Sequence, residues 1–418
     1  MIPAVRQAYN AAFSDARYAA FTKALHHAYY WPLDFRAAES PLFLDEPATR
    51  ELVRAAADVI AQLSTPAFRQ HAKTAIPEGL EVPKENPFPE FLAVDFALCH
   101  DATGQVLPQL IELQGFPTVA CWQVLLARSY REFFPEIPAE FTPYFGGLDE
   151  AGYLAALRSA MLGEFLPENV VLLEIEPDQQ KTRIDFAATH ALLGVRPICV
   201  TKIVKRGRKL CYFSGGREVP IHRIFNRVIF DELLRKKPAM RFSFADDLDV
   251  QWAGHPNWYF RISKHTLPFL KSPYVPDCHF VSEYSDTVGA AFLSAEALAK
   301  AERRDSLPLP ENLSDYVCKP LYSFAGLGVD IAPTREKIAA LPNPAEWLLQ
   351  RKVAYAPIMV TPDGPAKAEV RLIFAGDGSA MPKLVNNLVR FTKGAMHGVD
   401  FNKGKTWVGA SCAFHPAV

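Results

Sequence analysis

The 418-residue sequence predicts a mixed α+β fold with at least two subdomains. Three patterns carry that expectation. Residues 1 to about 75 read as helical, residues 91–113 as an antiparallel hairpin, and residues 170–200 as a βαβ unit. The division that follows is a helical region with connector (1–89), strands and helices (90–165), the βαβ and hairpin region (166–262), and a C-terminal α+β region (263–418).

In the first region, residues 47–63 place Leu52, Val53, Ala56, Val59, Ile60 and Leu63 on one face at helical spacing, with Pro47 suited to a first turn. The proline-rich stretch 77–89 breaks the pattern. Runs at 91–99 and 106–113 then flank His100-Asp101-Ala-Thr-Gly104, which is turn chemistry. Helices are expected near 119–132 and 150–162. Residues 170–175 form an apolar run, 181–193 a helix closed by Gly194, and 196–200 a second strand. A strand–helix–strand crossover implies a parallel sheet. Hairpins follow to about residue 229. The clearest strands beyond are 314–320, 347–353 and 368–374.

Composition bounds the function. Lys plus Arg number 45 and Asp plus Glu 46, so no basic footprint for nucleic acid or a membrane surface exists. The one basic cluster, at 202–209, lacks interleaved aromatics and reads as a solvated hairpin tip. Seven cysteines, an odd number without CxxC spacing, argue against a disulfide framework or a structural zinc site. Cys99, Cys199, Cys211 and Cys318 sit in strand-like apolar runs. No run of eighteen apolar residues and no leader-like N-terminus occurs, so a soluble, cytoplasmic protein is expected.

Four constellations could carry chemistry. Lys319 ends a strand and precedes the small-residue loop Ser323-Phe-Ala-Gly326-Leu-Gly328, where backbone N–H groups could approach anionic oxygens. A plain hairpin with a solvated lysine is the alternative. Residues Gln350 to Val353 end the next strand in an irregular, Pro-terminated segment of the kind whose main chain holds adenine; an edge strand with a polar end reads equally. Glu369 and Arg371 share one strand face, and Arg371 is either a fork for phosphate oxygens or half of a structural ion pair. Asp95, Glu112 and Gln114 lie in apolar strands, where carboxylates are costly unless paired or bound to metal. They offer hard oxygen ligands for Mg2+, or else carboxylates met by Arg or Lys.

The order of these motifs resembles the circularly permuted ATP-grasp superfamily, whose familiar member is glutathionylspermidine synthase. Leu110-Ile-Glu112-Leu-Gln114-Gly-Phe-Pro117 resembles the family's metal strand. Ser263-Lys264-His-Thr-Leu-Pro268 resembles its Ser-Asn-Lys-x-x-Leu-Pro segment, and Val317-Cys-Lys319-Pro320 its second lysine strand. The likeness spans residues 90–375 and is thin between motifs. It implies an ATP-grasp-like fold with subdomains around a nucleotide cleft, the βαβ unit standing as its pre-ATP-grasp part. The implied activity is an ATP- and Mg2+-dependent ligase that joins a small-molecule or peptide carboxylate to an amine or thiol. Asp95, Glu112 and Gln114 would hold Mg2+. Lys264 and Lys319 would hold phosphates under the Ser323, Gly326 and Gly328 loop, Gln350 and Val353 would receive adenine, and Arg371 would be catalytic.

The sequence departs from the family in places. Gln114 stands where Asn is usual, Ala93 where an arginine is usual, and the loop lacks a frequent arginine. A non-permuted arrangement would use Glu369, Asp400 and Asn402 for metal instead. A small-molecule kinase on the same site and a nucleotide-sensing protein without turnover are the other readings. Asn226, Arg227 and Asp231 are polar residues in an apolar stretch that line an acceptor pocket or form an ion pair. Oligomeric state is not legible.

Overall fold

The computed structural model describes residues 2–284, 307–323, 326–394 and 402–418. Within them the chain is α+β, as expected from the sequence, and its strands form five sheets.

The five-stranded antiparallel sheet positions the site. Its order is Gly409–Ser411, Lys383–Thr392, Lys367–Ala375, Phe91–His100, Val106–Gln114. The predicted hairpin at 91–113 supplies its last two strands. Phe96 pairs with Leu110 but Asp95 pairs with Glu112, so Ile111 is an extra, unpaired residue. Such a bulge re-aims the side chains beyond it.

Around this sheet pack the N-terminal helices. Helix Glu46–Leu63 starts where Asp45 accepts the Ala48 N–H at 3.0 Å, and it buries Leu52, Ala56, Val59 and Leu63. These side chains share one apolar cluster with Val94, Phe96, Val370 and Leu372 of the sheet. Other N-terminal contacts are long-range and were not visible in sequence. Leu42–Phe43 runs parallel to Ala413–Pro416, near the other end of the chain.

The βαβ unit is present. Val170–Glu174, helix Arg183–Leu193 and Arg196–Cys199 form a parallel pair, extended by Arg223–Asn226 and Gln251–Ala253 into a four-stranded parallel sheet. Gly194 closes the helix at φ +79°. The basic segment 202–209 is a hairpin tip, as its composition predicts. Three of its charges are matched by acids: Lys205 meets Asp246, Arg206 meets Glu218, and Arg208 meets Asp247 and Asp249. A third, small sheet joins Cys278–Phe280, Trp347–Arg351 and Tyr316–Pro320 in antiparallel order around its own cluster of Val281, Cys318 and Leu349. All seven cysteines are free thiols. Among the described residues, no helix is long and apolar enough to cross a membrane.

Candidate functional site

The edge strand Val106–Gln114 is where three parts of the chain meet. Its backbone is tied to a neighbouring segment by Leu110 N–H to Tyr274 O and Gly115 N–H to Ile262 O, both at 2.7 Å. Gly115 is required for that approach, because a Cβ there would stand 2.5 Å from the Trp258 carbonyl oxygen. The small sheet docks on the same strand. Lys319 Nζ donates to the bulged Ile111 carbonyl at 3.3 Å and to Gln350 Oε1 at 2.6 Å. Gln350 Nε2 donates to Leu110 O at 3.4 Å. The bulge therefore frees a carbonyl that a lysine from another sheet takes up.

A narrow cleft opens beside this junction. Glu112, Gln114, Phe116, Tyr259, Lys264 and Ser323 are among its walls. Lys264 is placed by a capping box: Ser263 Oγ accepts the His265 N–H, and Thr266 Oγ1 accepts the Ser263 N–H. Its Nζ reaches across to the Ser323 carbonyl at 2.6 Å. Ser323 Oγ is buried and lacks a hydrogen-bond partner among the described residues.

Electrostatically, Glu112 is the centre. Burial pushes its carboxyl upward, but Lys264, Arg371, a hydrogen bond from Gln114 and Lys319 together hold it below its ordinary value. Burial pulls Lys319 below the usual lysine range, with Glu112 opposing that pull. The cleft and the junction beside it thus gather a carboxylate kept ionised, two buried ammonium groups and an amide. Such a set can meet phosphate oxygens and a divalent cation.

Asp95, expected as a metal ligand, is paired with arginines in this structure. Asp95 lies opposite both Glu112 and Arg371, so the three share a sheet face. Arg371 donates Nε to Oδ1 and Nη2 to Oδ2, each at 2.6 Å, and Arg390 Nη2 adds a bond to Oδ2 at 2.9 Å. A carboxylate gripped by two guanidinium groups does not offer its oxygens to a metal in this arrangement. Arg371 faces Asp95 rather than Glu369, and its Nη1 reaches Thr118 Oγ1 at 3.0 Å. Glu369 instead pairs with Arg390 and accepts from Tyr355 at 3.1 Å. Burial alone would lower the Arg390 guanidinium; Glu369 and Asp95 more than offset this and raise it.

Other expected positions fall as follows. Gln350 is engaged by Lys319, and the N–H groups of Arg351 and Lys352 donate to Asp277 O and Asp315 O, so much of the expected adenine hinge is already bonded. Val353 lies just past the strand end, half-buried. Gly326 and Gly328 hold φ of +77° and +74°, in a turn closed by paired Cys318 and Asp330. Phe324 and Ala325 lie outside the described residues, as does Asp400 of the alternative metal set. Asn402 is committed elsewhere, its Oδ1 accepting Thr392 Oγ1 at 2.8 Å and the Lys393 N–H at 3.1 Å.

Asn226 and Arg227 are buried at the end of a parallel strand. Arg227 Nη1 donates to the Pro117 carbonyl, and the guanidinium lies over Phe116 at 5.6 Å and Phe186 at 5.4 Å. Sequence reasoning missed Arg390, Thr118 and the aromatic walls Phe116, Tyr259 and Tyr322. A basic residue inside the apolar run Leu388-Val-Arg390-Phe391 was the available signal for Arg390.

The chain matches no protein-family model and no curated protein sequence. Among solved structures it is similar to a glutathione synthetase-like effector from Globodera pallida in its apo form. The TM-score is 0.51 and the identity 10%, over 91% of this chain and 90% of that one. At that identity the likeness is one of fold. The α+β architecture is accordingly of glutathione synthetase-like type and compatible with an ATP-grasp-like fold.

Proposed function

We propose that the chain is an ATP- and Mg2+-dependent ligase that activates a carboxylate for attack by an amine or thiol. The observation that carries the reading is Glu112, buried but held ionised by Lys264, Arg371 and Lys319, in a cleft that Lys264 and Ser323 also line. The fold likeness to a glutathione synthetase-like protein supports the same class of chemistry.

In this reading a substrate carboxylate oxygen attacks the γ-phosphorus of ATP, the bond to the β-phosphate oxygen breaks, and ADP departs. The amine or thiol then adds to the acyl carbon of the acyl phosphate, and inorganic phosphate leaves. Lys264 and Lys319 neutralise and position the phosphates, which is most of what phosphoryl transfer asks of a protein. Gln350 orients Lys319. Magnesium in nucleotide sites is held by one or two carboxylates, with phosphate and water oxygens completing its shell. Glu112 and Gln114 fit that requirement as a two-residue anchor, the Gln114 amide presenting its oxygen after a half-turn; Asp95, as paired, does not. Bound there, the ion would screen phosphate charge.

One observation favours a second reading, a nucleotide-binding protein without turnover. Asp95 is neutralised by Arg371 and Arg390 and, so paired, brings no second carboxylate to Glu112. Release of ADP that requires both a carboxylate and an amine or thiol supports the ligase. Nucleotide binding with no ADP release under any acceptor mixture supports the second reading.

A further inference from the structure

A second cavity, of about 300 Å3, lies beside the short helix Phe230–Lys236 and the segment after it. Its walls include Leu80, Phe230, Leu233, Met240, Phe242 and Phe244. The aromatic walls brace one another, with Phe230 and Phe244 centroids 5.4 Å apart and Phe242 and Phe244 5.7 Å apart. Small-molecule sites have this size and character: apolar walls, with a few polar groups that fix orientation. Leu234, at 50% exposure, lines it as well, so apolar surface continues to the mouth.

The polar groups here are unbalanced in sign. Lys237 lines the cavity, at the left-handed residue that ends the helix (φ +46°). Arg235 and Arg241 flank it in sequence, and none of the three makes an ion pair among the described residues. Of the acids close by in sequence, Glu232 and Glu176 take Lys236, Asp246 takes Lys205 at 2.6 Å and the Ser243 N–H at 2.9 Å, and Glu81 meets Arg261 at 4.0 Å. Glu78, beside the lining Gly79, makes no ion pair among the described residues, but Lys237 is the one charged residue among those that line the cavity. Asp231 lies at the opposite end of the helix from Lys237. An apolar chamber with an exposed ammonium group at its mouth, met by no carboxylate among the described residues, matches a ligand with an apolar body and one negative head.

We propose that this cavity binds an amphipathic monocarboxylate, its alkyl or aryl body among Leu80, Phe230, Leu233 and Phe244 and its carboxylate at Lys237. The site is separate from the nucleotide cleft and does not depend on the ligase reading. The Phe230 ring nevertheless lies 6.1 Å from Tyr259, which lines that cleft, so an occupant would press on a shared wall.

The test is calorimetric titration of the full chain, without nucleotide, using hexanoate, octanoate and decanoate. Saturable one-to-one binding is expected, tightening about fourfold per added methylene until the chamber is full. Decanol and decyltrimethylammonium should bind at least tenfold more weakly than decanoate. Lys237→Glu should weaken decanoate tenfold or more at unchanged melting temperature, and Lys237→Arg should retain it. Met240→Trp, which fills the chamber, should abolish binding. Absence of saturable binding would overturn the proposal, as would equal affinity for the three head groups. So would adsorption to phosphatidylglycerol vesicles that free decanoate does not compete away, which would make the surface a lipid contact.

Discussion

Arg371 stands directly opposite Asp95 on the neighbouring antiparallel strand and donates to both of its carboxylate oxygens at 2.6 Å. The pair is almost fully removed from water, Asp95 being 1% exposed. Arg390 from the next strand adds a third bond, and Glu369 balances that second cation. Two guanidinium groups and two carboxylates thus neutralise one another on the sheet face that also carries Glu112.

Asp95→Asn leaves the largely buried Arg371 without its carboxylate partner and the partly exposed Arg390 with Glu369 alone. Breaking a buried pair from one side typically costs about 3–5 kcal/mol. Urea unfolding of the variant should show a loss of that order. A loss below about 1 kcal/mol would mean that water already serves these groups.

Burial raises the Glu174 carboxyl to about 8, with the Ile175 N–H and Arg227 opposing. The folded protein therefore keeps its proton where the unfolded chain has lost it. Below the unfolded value, near 4.5, both states are protonated and nothing is lost; as pH rises from there towards 8, stability falls. Glu174→Gln keeps the acceptor for Ile175 and removes the titration. It should match the parent near pH 4.5 and exceed it by up to about 3 kcal/mol at pH 7. Parallel stability curves for the two proteins between pH 5 and 8 would contradict this.

Gly115→Ala tests the docking of the Lys264 segment on the edge strand. The added Cβ meets the Trp258 carbonyl oxygen at 2.5 Å and the Ile262 Cβ at 3.0 Å, and backbone cannot swing aside as a side-chain tip can. Overpacking of this kind costs about 1–3 kcal/mol. The melting temperature should fall, and Lys264-dependent nucleotide binding should weaken with it. An unchanged melting temperature would show that the segment is loosely held.

The parts legible in sequence were those encoded locally. The hairpin at 91–114 announces itself by two apolar runs around Asp101 and Gly104, and the βαβ unit by a helix ended at Gly194. Lys383–Thr392 was not read as a strand. Asn386 and Asn387 interrupt its apolar pattern, and both are fully buried. Asn387 is satisfied only in the tertiary fold, by the Pro143 and Ala413 carbonyls and the Ala413 N–H. Missing that strand hid Arg390, and with it the pairing of Asp95 with two arginines. The bulge at Ile111 was equally invisible, since it depends on the register between two strands.

Glu112→Gln removes the one carboxylate that the cleft keeps ionised between lysines. Magnesium-dependent nucleotide affinity should fall on the order of a hundredfold, since a divalent ion draws several kcal/mol from a charged ligand. Titration with Mg2+–ADP and with ADP plus chelator separates the two contributions. The metal-dependent part should vanish in the variant; its persistence would place the cation elsewhere.

The most direct measurement is calorimetric titration of a non-hydrolysable ATP analogue with Mg2+ into the parent protein and Lys319→Ala. Lys319 Nζ is buried, bridging Ile111 and Gln350 at the junction beside the cleft, so its loss removes a charge-assisted contact there and a cation that acts on Glu112. The account predicts one saturable site in the parent, weakened at least about tenfold in a variant whose circular dichroism is unchanged. No binding to the parent, or equal affinity in a folded Lys319→Ala protein, would contradict it.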